Sequence, residues 1–393
     1  MPGISQTIEE MGIQGLFSAE GDQWRRHRRL AKGAFDGGHL REFFPTMQKV
    51  TQRLHRRWQQ LAEQQTPLDA QKELMRYTVD ITTNLAFGYD MNTLEAEGDR
   101  IQQHLEKVFP MIATRAFMPI RYWNTFKLPA DRALESSLVE LRTSIDQFIE
   151  YARSQLAEDP SLLERPQNLL QALLAAQASE AIELSDLEIY GNVFTFLLAG
   201  EDTTANSIAW MLYFMTQYPE VQRQMQAEAD AVLKDAATVM EFEQIRALPY
   251  IEAVAHETMR FKPVATFLAL KALKDVTIKR LRIPVETPVF LLLRPNGLKD
   301  SEFAEAAEFK PDRWLNYSRQ ENPHQRKSFL PFGGGPRLCP GRSLALHEIK
   351  MAVSMICRHF DVNRTEPERT IDERFIFTMM PVDLMVSLQP RIH

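Results

Sequence analysis

The chain has 393 residues, 44% of them hydrophobic, with 46 Lys and Arg against 52 Asp and Glu and a formal net charge of −6. That length supports a large buried core, and the mild negative balance excludes a general nucleic-acid binder. The two cysteines, Cys339 and Cys357, form no C-x-x-C pair, which excludes a disulfide framework and a structural zinc site and predicts a reducing, cytoplasmic setting for a soluble protein.

Residues 1–7 carry neither a basic nor an apolar segment of a signal peptide, and no apolar run reaches the roughly 18–20 residues of a transmembrane span. A helix is predicted to start near Asp22, a candidate N-cap, and Trp24 and Arg28 share one of its faces at i, i+4. Arg25, Arg26, Arg29 and Lys32 form a basic surface beside them. The chain is then mostly helical by period through about residue 183, for example over 47–61 and 134–156, with breaks at Pro119 and Pro129. Phe109, Met111, Phe117, Trp123 and Phe126 are apolar residues around those breaks.

Ser185-Asp186-Leu187-Glu188 is a capping box, and the helix it opens is predicted to run to about Gln217, before Pro219. At 1.5 Å per residue it is roughly 45–50 Å long, enough to cross a domain. Its middle is apolar all round, from Val193 through Phe196 to Ala199, so it is predicted to be buried. Ala199-Gly200-Glu201-Asp202-Thr203-Thr204 interrupts that run, and acids in a buried helix are costly unless paired or useful. A further helix begins at Pro249-Tyr250 and puts Glu257 and Arg260 on one face. Short strands are predicted over 267–270, 276–278 and 289–293.

Phe332-Gly333-Gly334-Gly335-Pro336-Arg337-Leu338-Cys339-Pro340-Gly341 carries the chemistry. Three successive glycines suit a backbone that passes close to something flat and bulky. Cys339 sits just before a helical pattern, with Pro340 at or near the first helical position, and a helix N-terminus favours a thiolate over a thiol. A thiolate held this way is suited to be an axial ligand of haem iron. Near the C-terminus, Phe375 to Pro381 is an apolar turn with two adjacent methionines, Met379 and Met380, which make a pliable wall.

The spacing F-x-x-G-x-R-x-C-x-G resembles the haem-binding signature of the cytochrome P450 family at all its fixed positions, and Ala199 to Thr204 resembles the family's A-G-x-D-T-T. The resemblance implies a mainly α fold with a small β-rich lobe in one haem domain over residues 1–393, and a non-covalent haem b with Cys339 as thiolate ligand. It implies that Trp24, Arg28 and Arg337 meet haem propionates, and that Phe332 packs beside the sulfur while Gly335 and Gly341 allow close approach. Ala199 and Gly200 would let the long helix pass over the haem. Thr203 would hydrogen-bond dioxygen or its water, and Asp202 would relay protons. Glu257, Arg260 and Arg313 would form a buried network behind the Cys loop. Phe196, Val264, Ala265, Thr266, Phe267, Met379 and Met380 would line an apolar pocket.

The implied activity is a monooxygenase that inserts one atom of O2 into a fatty acid, terpene or steroid-like molecule. Its electrons would come from a separate ferredoxin, flavodoxin or reductase docked on the basic surface. Two departures stand out. The chain begins shortly before the W-x-x-x-R helix and so lacks the family's first helix and first strands. Leu270 also stands where many members place an arginine, and the adjacent Lys271 is expected on the opposite strand face. A truncated, catalytically impaired haem-binding fragment and a peroxide-driven peroxygenase are the alternatives, and the intact Asp202-Thr203 pair argues against the second.

Overall fold

A computed structural model describes residues 2–35, 37–96, 100–178, 184–315 and 328–392; the end of the predicted helical stretch, 179–183, lies outside the described residues. The organising element is helix α8 (Asp186–Gln217). Ser185 Oγ accepts from Glu188 N at 3.2 Å and Ser185 N donates to Glu188 Oε2 at 3.0 Å, so the capping box closes as predicted. Pro219 then starts the next helix and cannot continue α8.

Among the described residues, seven helices precede α8: α1 (Pro2–Glu10), α2 (Gly21–Ala34), α3 (Gly37–Glu63), α4 (Ala70–Phe87), α5 (Arg100–Phe117), α6 (Pro129–Glu158) and α7 (Leu169–Ala178). After it come α9 (Pro219–Leu233), α10 (Pro249–Phe261), a short α11 (Arg294–Gly297) and α12 (Arg342–His359). The strands are β1 (Leu68–Asp69), β2 (Phe267–Lys271), β3 (Val276–Ile278), β4 (Leu281–Ile283), β5 (Pro288–Leu292), β6 (Phe360–Arg364), β7 (Glu373–Phe375), β8 (Met379–Pro381) and β9 (Met385–Pro390). All pairings are antiparallel: a three-stranded sheet in the order β1-β9-β6, and the pairs β2-β5, β3-β4 and β7-β8.

Two apolar cores form, and α8 runs through both. Ile189 to Leu198 pack with α1, α5, α6 and α7, whereas Ala205 to Met215 pack with α3, α4, α9, α10 and α12. The polar run 199–204 therefore falls at the seam between the cores. A glycine-dependent contact fixes α8 against the N-terminal loop. A Cβ on Gly15 would lie 2.2 Å from Gly191 O, and one on Gly191 would lie 2.2 Å from Gln14 O. Only backbone fits on backbone there.

Several predicted details change. Residues 2–10 are helical, and the chain near them is buried through Ile8, Met11, Ile13 and Leu16. Asp22 lies inside the first turn of α2 and pairs with Arg25 rather than capping. Pro340 lies before α12, whose N-cap is Gly341. The predicted strands are present, joined by β4 and by the three-stranded sheet that the sequence pattern did not disclose.

Candidate active site

The loop before α12 is shaped by its glycines. Gly333 and Gly335 have φ of +75° and +62°, a left-handed backbone that side chains disfavour, and a Cβ on Gly335 would meet nothing within 4 Å. Cys339 N donates to Phe332 O at 2.9 Å and Gly333 N to Leu330 O at 2.9 Å, closing the loop on itself. Cys339 is exposed, although neighbouring protein atoms crowd its sulfur. Burial pushes the thiol up, while the backbone N–H groups of Gly341 and Arg342 and the charge of Arg28 pull it down. Those N–H groups at the start of α12 are the donors that a thiolate requires. Cys357, in contrast, is wholly enclosed in the core.

Helix α2 brings its residues to the same place. The Arg337 guanidinium lies 4.5 Å over the Trp24 ring and donates to Ala19 O at 2.9 Å. Arg28 is half-buried, and its side chain has no hydrogen-bond or ion-pair partner among the described residues. Two clustered guanidiniums, one of them unpaired, suit a carboxylate-bearing group. The glycine cradle, the sulfur and these cations together fit a haem. Lys271 departs from the alternation argument: it pairs with Glu20 at 3.7 Å and Glu286 at 3.2 Å, leaning toward the start of α2. It ends its strand, where the pleat no longer dictates direction, and its long stem reaches round. Leu270 is exposed.

Arg26 also differs from expectation. Arg26, Gln23 and His27 all reach Glu188 Oε1, at 3.2, 3.3 and 3.1 Å, and dock α2 on the first turn of α8. Burial pushes the Glu188 carboxyl up, but the Ser185 amide, His27, the Ser185 hydroxyl and Gln23 together hold it down at about 2. Arg25, Arg29 and Lys32 remain exposed.

On α8 the expected roles divide. Thr203 Oγ1 donates back to Ala199 O at 2.7 Å. Asp202 turns the other way: its carboxylate accepts from Asn206 Nδ2 at 2.8 Å and from the Thr378 hydroxyl. Adjacent helical residues do not face each other, so the acid and the alcohol form no direct pair. Burial raises the Asp202 carboxyl, with Thr378 and Asn206 opposing. Gly200 makes its close approach to α4, since a Cβ there would lie 2.9 Å from Thr82 Oγ1.

The expected pocket segments do come together. Met379 N donates to Val264 O at 2.9 Å, and Leu293 N to Thr266 O at 3.0 Å. Val264 is buried, and Ala265, Thr266, Met379 and Met380 are half-buried. Phe196 packs on Phe35 at 5.3 Å between ring centres. Aromatic contacts missed by sequence reasoning ring this region. Phe377 lies 6.0 Å from Phe17 and 5.5 Å from Phe109; Phe267 lies 5.8 Å from Phe375 and 6.1 Å from Phe117. Four separate segments supply them, so no local pattern could reveal the collar. Trp123 stands apart, beneath Arg115 at 4.9 Å and bonded to Glu10.

Glu257, Arg260 and Arg313 form one network. Glu257 accepts from Arg260 at 2.7 and 2.9 Å, from Arg313 Nε at 3.1 Å, from Lys310 N at 2.7 Å and from Trp314 Nε1 at 2.9 Å. Arg260 also donates to Ala306 O at 2.7 Å and Glu308 O at 3.0 Å. Trp314 and the Lys310 amide complete the network and carry no signature of their own.

The sequence model of the family described as Cytochrome P450 matches residues 1–388. The chain belongs to the cytochrome P450 family. It is similar to cytochrome P450 3A28 of Bos taurus, at 28% identity over 360 residues, covering 89% of this chain and 70% of that one. It is also similar to cytochrome P450 3A9 of Rattus norvegicus, at 29% over 352 residues, covering 87% and 68%. Among solved structures, the cytochrome P450DA heme domain superposes with a TM-score of 0.87 at 26% identity, over 98% of this chain and 82% of that one. The cytochrome P450 CYP102L1 gives 0.86 at 26%, over 99% and 87%. As a cytochrome P450 the chain is a haem-thiolate monooxygenase that uses dioxygen and a redox partner. Among the described residues no helix is long and apolar enough to cross a membrane, and no group of three or more His, Cys, Asp or Glu could hold a bare metal ion.

Proposed function

We propose that the chain oxygenates an apolar small molecule, of fatty-acid, terpene or steroid character, with haem b bound non-covalently through Cys339 and electrons from a separate ferredoxin, flavodoxin or reductase. The observation that carries this reading is the exposed Cys339 thiol, with the Gly341 and Arg342 amides at its sulfur, the Arg28 charge near it and Arg337 stacked on Trp24. When bound, the haem supplies dioxygen activation and oxygen transfer.

The chain's own residues do the rest. Arg28, Arg337 and Trp24 would hold the carboxylate groups of the cofactor, and the left-handed glycines would let the loop approach it closely. Thr203 offers a hydroxyl on one side of α8, while Asp202 holds a proton-exchanging carboxyl on the other. A proton passing between them needs an intermediate carrier such as water, because they share no hydrogen bond. The aromatic collar, with Phe17, Phe117 and Phe375 partly open to solvent, favours apolar ligands. Arg25, Arg29 and Lys32, exposed on α2 beside the residues that face Cys339, suit an acidic electron donor.

The test is oxygen-isotope labelling. With 18O2, a reductase system and a panel of apolar compounds, the product should gain one 18O atom and the other should leave in water. Turnover with hydrogen peroxide alone at an equal rate, and no label from 18O2, would overturn the reading in favour of a peroxygenase.

A further inference from the structure

Asp202, Asn206 and Trp210 recur at i, i+4 and i+8 on α8, so they form one stripe along the helix. That stripe meets the turn between β7 and β8. Asn206 Nδ2 donates to Asp202 Oδ1 at 2.8 Å and to Thr378 Oγ1 at 3.0 Å, and the Thr378 hydroxyl donates to Asp202 Oδ2. One turn further along, Trp210 Nε1 donates to Met379 O at 3.1 Å. Asp202, Asn206 and Thr378 are all buried, at 9%, 0% and 3% exposure. Buried polar groups are costly unless bonded, so these three bonds make the triangle's geometry specific, although Asn206 Oδ1 has no partner among the described residues.

The turn so held carries Phe375 and Phe377, which are members of the two aromatic clusters of the collar. Its Met379 amide also donates to Val264 O, on the opposite wall. The α8 stripe thus fixes where the turn stands, and the turn fixes the collar.

We propose that Asn206 and Thr378 are positioning residues that tie the Asp202 carboxyl to the β7–β8 turn, so that the shape of the apolar pocket and the hydrogen bonding of the acid are set by one linkage. A ligand that displaces Phe377 or Met379 pulls on the Thr378 hydroxyl and, through it, on Asp202. Ligands of the size that leaves the turn in place keep the acid held. The pocket's size preference follows from a residue that lies behind its wall. The reading of Asp202 as a proton-exchanging group rests on the monooxygenase function proposed above; the mechanical linkage does not.

Thr378→Val keeps the side-chain shape and removes the hydroxyl, and Thr378→Ser restores it. Amide hydrogen exchange over residues 375–380 of the full chain should accelerate on the order of tenfold in Thr378→Val and in Asn206→Leu, and stay near the parent rate in Thr378→Ser. Dissociation constants for a short and a long fatty acid, read by the ligand-induced spin shift, should converge in Thr378→Val and separate again in Thr378→Ser. Parent-like exchange and parent-like size preference in Thr378→Val, or loss of both in Thr378→Ser, would overturn the linkage. Asn206→Leu gives the same decision if Thr378→Val does not fold. The carbon-monoxide spectrum of the parent reports separately on the monooxygenase reading, so a failure of that reading leaves the exchange result standing on its own.

Discussion

Replacing Glu257 by Ala tests the network behind the Cys loop most severely. The Glu257 and Arg260 side chains are fully enclosed, with 0% exposure each, and Arg313 has 9%. Truncation removes the carboxylate that accepts from Arg260, Arg313, Lys310 N and Trp314, and it leaves two guanidiniums in the interior without their counter-charge. Breaking a buried pair from one side costs about 3–5 kcal/mol, because the stranded charge remains desolvated. For a chain of this length, unfolding entropy is about 0.8 kcal/mol/K, so melting should fall by about 4–6 °C. Glu257→Gln keeps an acceptor oxygen and the side-chain shape, and should lose less than Glu257→Ala. Calorimetry of both variants and the parent measures this, and haem content after gel filtration shows whether the loop above has loosened. A Glu257→Ala variant that melts within 1 °C of the parent and retains full haem would refute the assignment of the network as the fold's internal brace.

Other expectations follow from single residues. Thr203→Ala should still consume reductant and oxygen but shift the output toward peroxide and away from product; an unchanged ratio of peroxide to product would return Thr203 to an ordinary helix position. Glu348, buried in α12 against Thr204, has its carboxyl pushed up to about 8 from 4.5. Between those values the unfolded chain has released a proton that the folded chain keeps, so this group lowers stability as pH rises, by about 1.4 kcal/mol per unit. Glu348→Gln should therefore gain over the parent progressively from pH 5 to pH 8 in urea midpoints, and a pH-independent difference would contradict this. Reversing Arg25 and Arg29 to Glu should slow reduction by an acidic protein donor, most at low salt, and leave dithionite reduction unchanged. Arg26 is excluded from that pair because it holds Glu188.

What the sequence disclosed was governed by local rules. The capping box at Ser185 and Pro219 bounded α8, and fixed spacings singled out Cys339, Arg337, Glu257 and Arg260. Arg313, distant in sequence, was reached only through the family resemblance. What it concealed depends on partners far apart in the chain. Asp202 invites pairing with its neighbour Thr203, yet its hydroxyl partner is Thr378, 176 residues away. Gly200 invites a ligand-facing role, yet its missing Cβ makes room for Thr82. Arg26 counted as surface charge until Glu188 was brought beneath it by the packing of α2 on α8. Strand β1, only two residues long, has no period to detect and exists because β9 pairs with it.

The central claim is that Cys339, and not Cys357, is the sulfur that binds the cofactor. Cys339 is exposed at the end of the glycine loop, whereas Cys357 is enclosed at 0% exposure among the residues of α12. The most direct measurement is the absorbance of the reduced, carbon-monoxide-bound protein for the parent, Cys339→Ala and Cys357→Ala. The parent and Cys357→Ala should share the long-wavelength band of thiolate ligation, and Cys339→Ala should lose it. Retention of that band in Cys339→Ala, or its absence from the parent, would contradict the account.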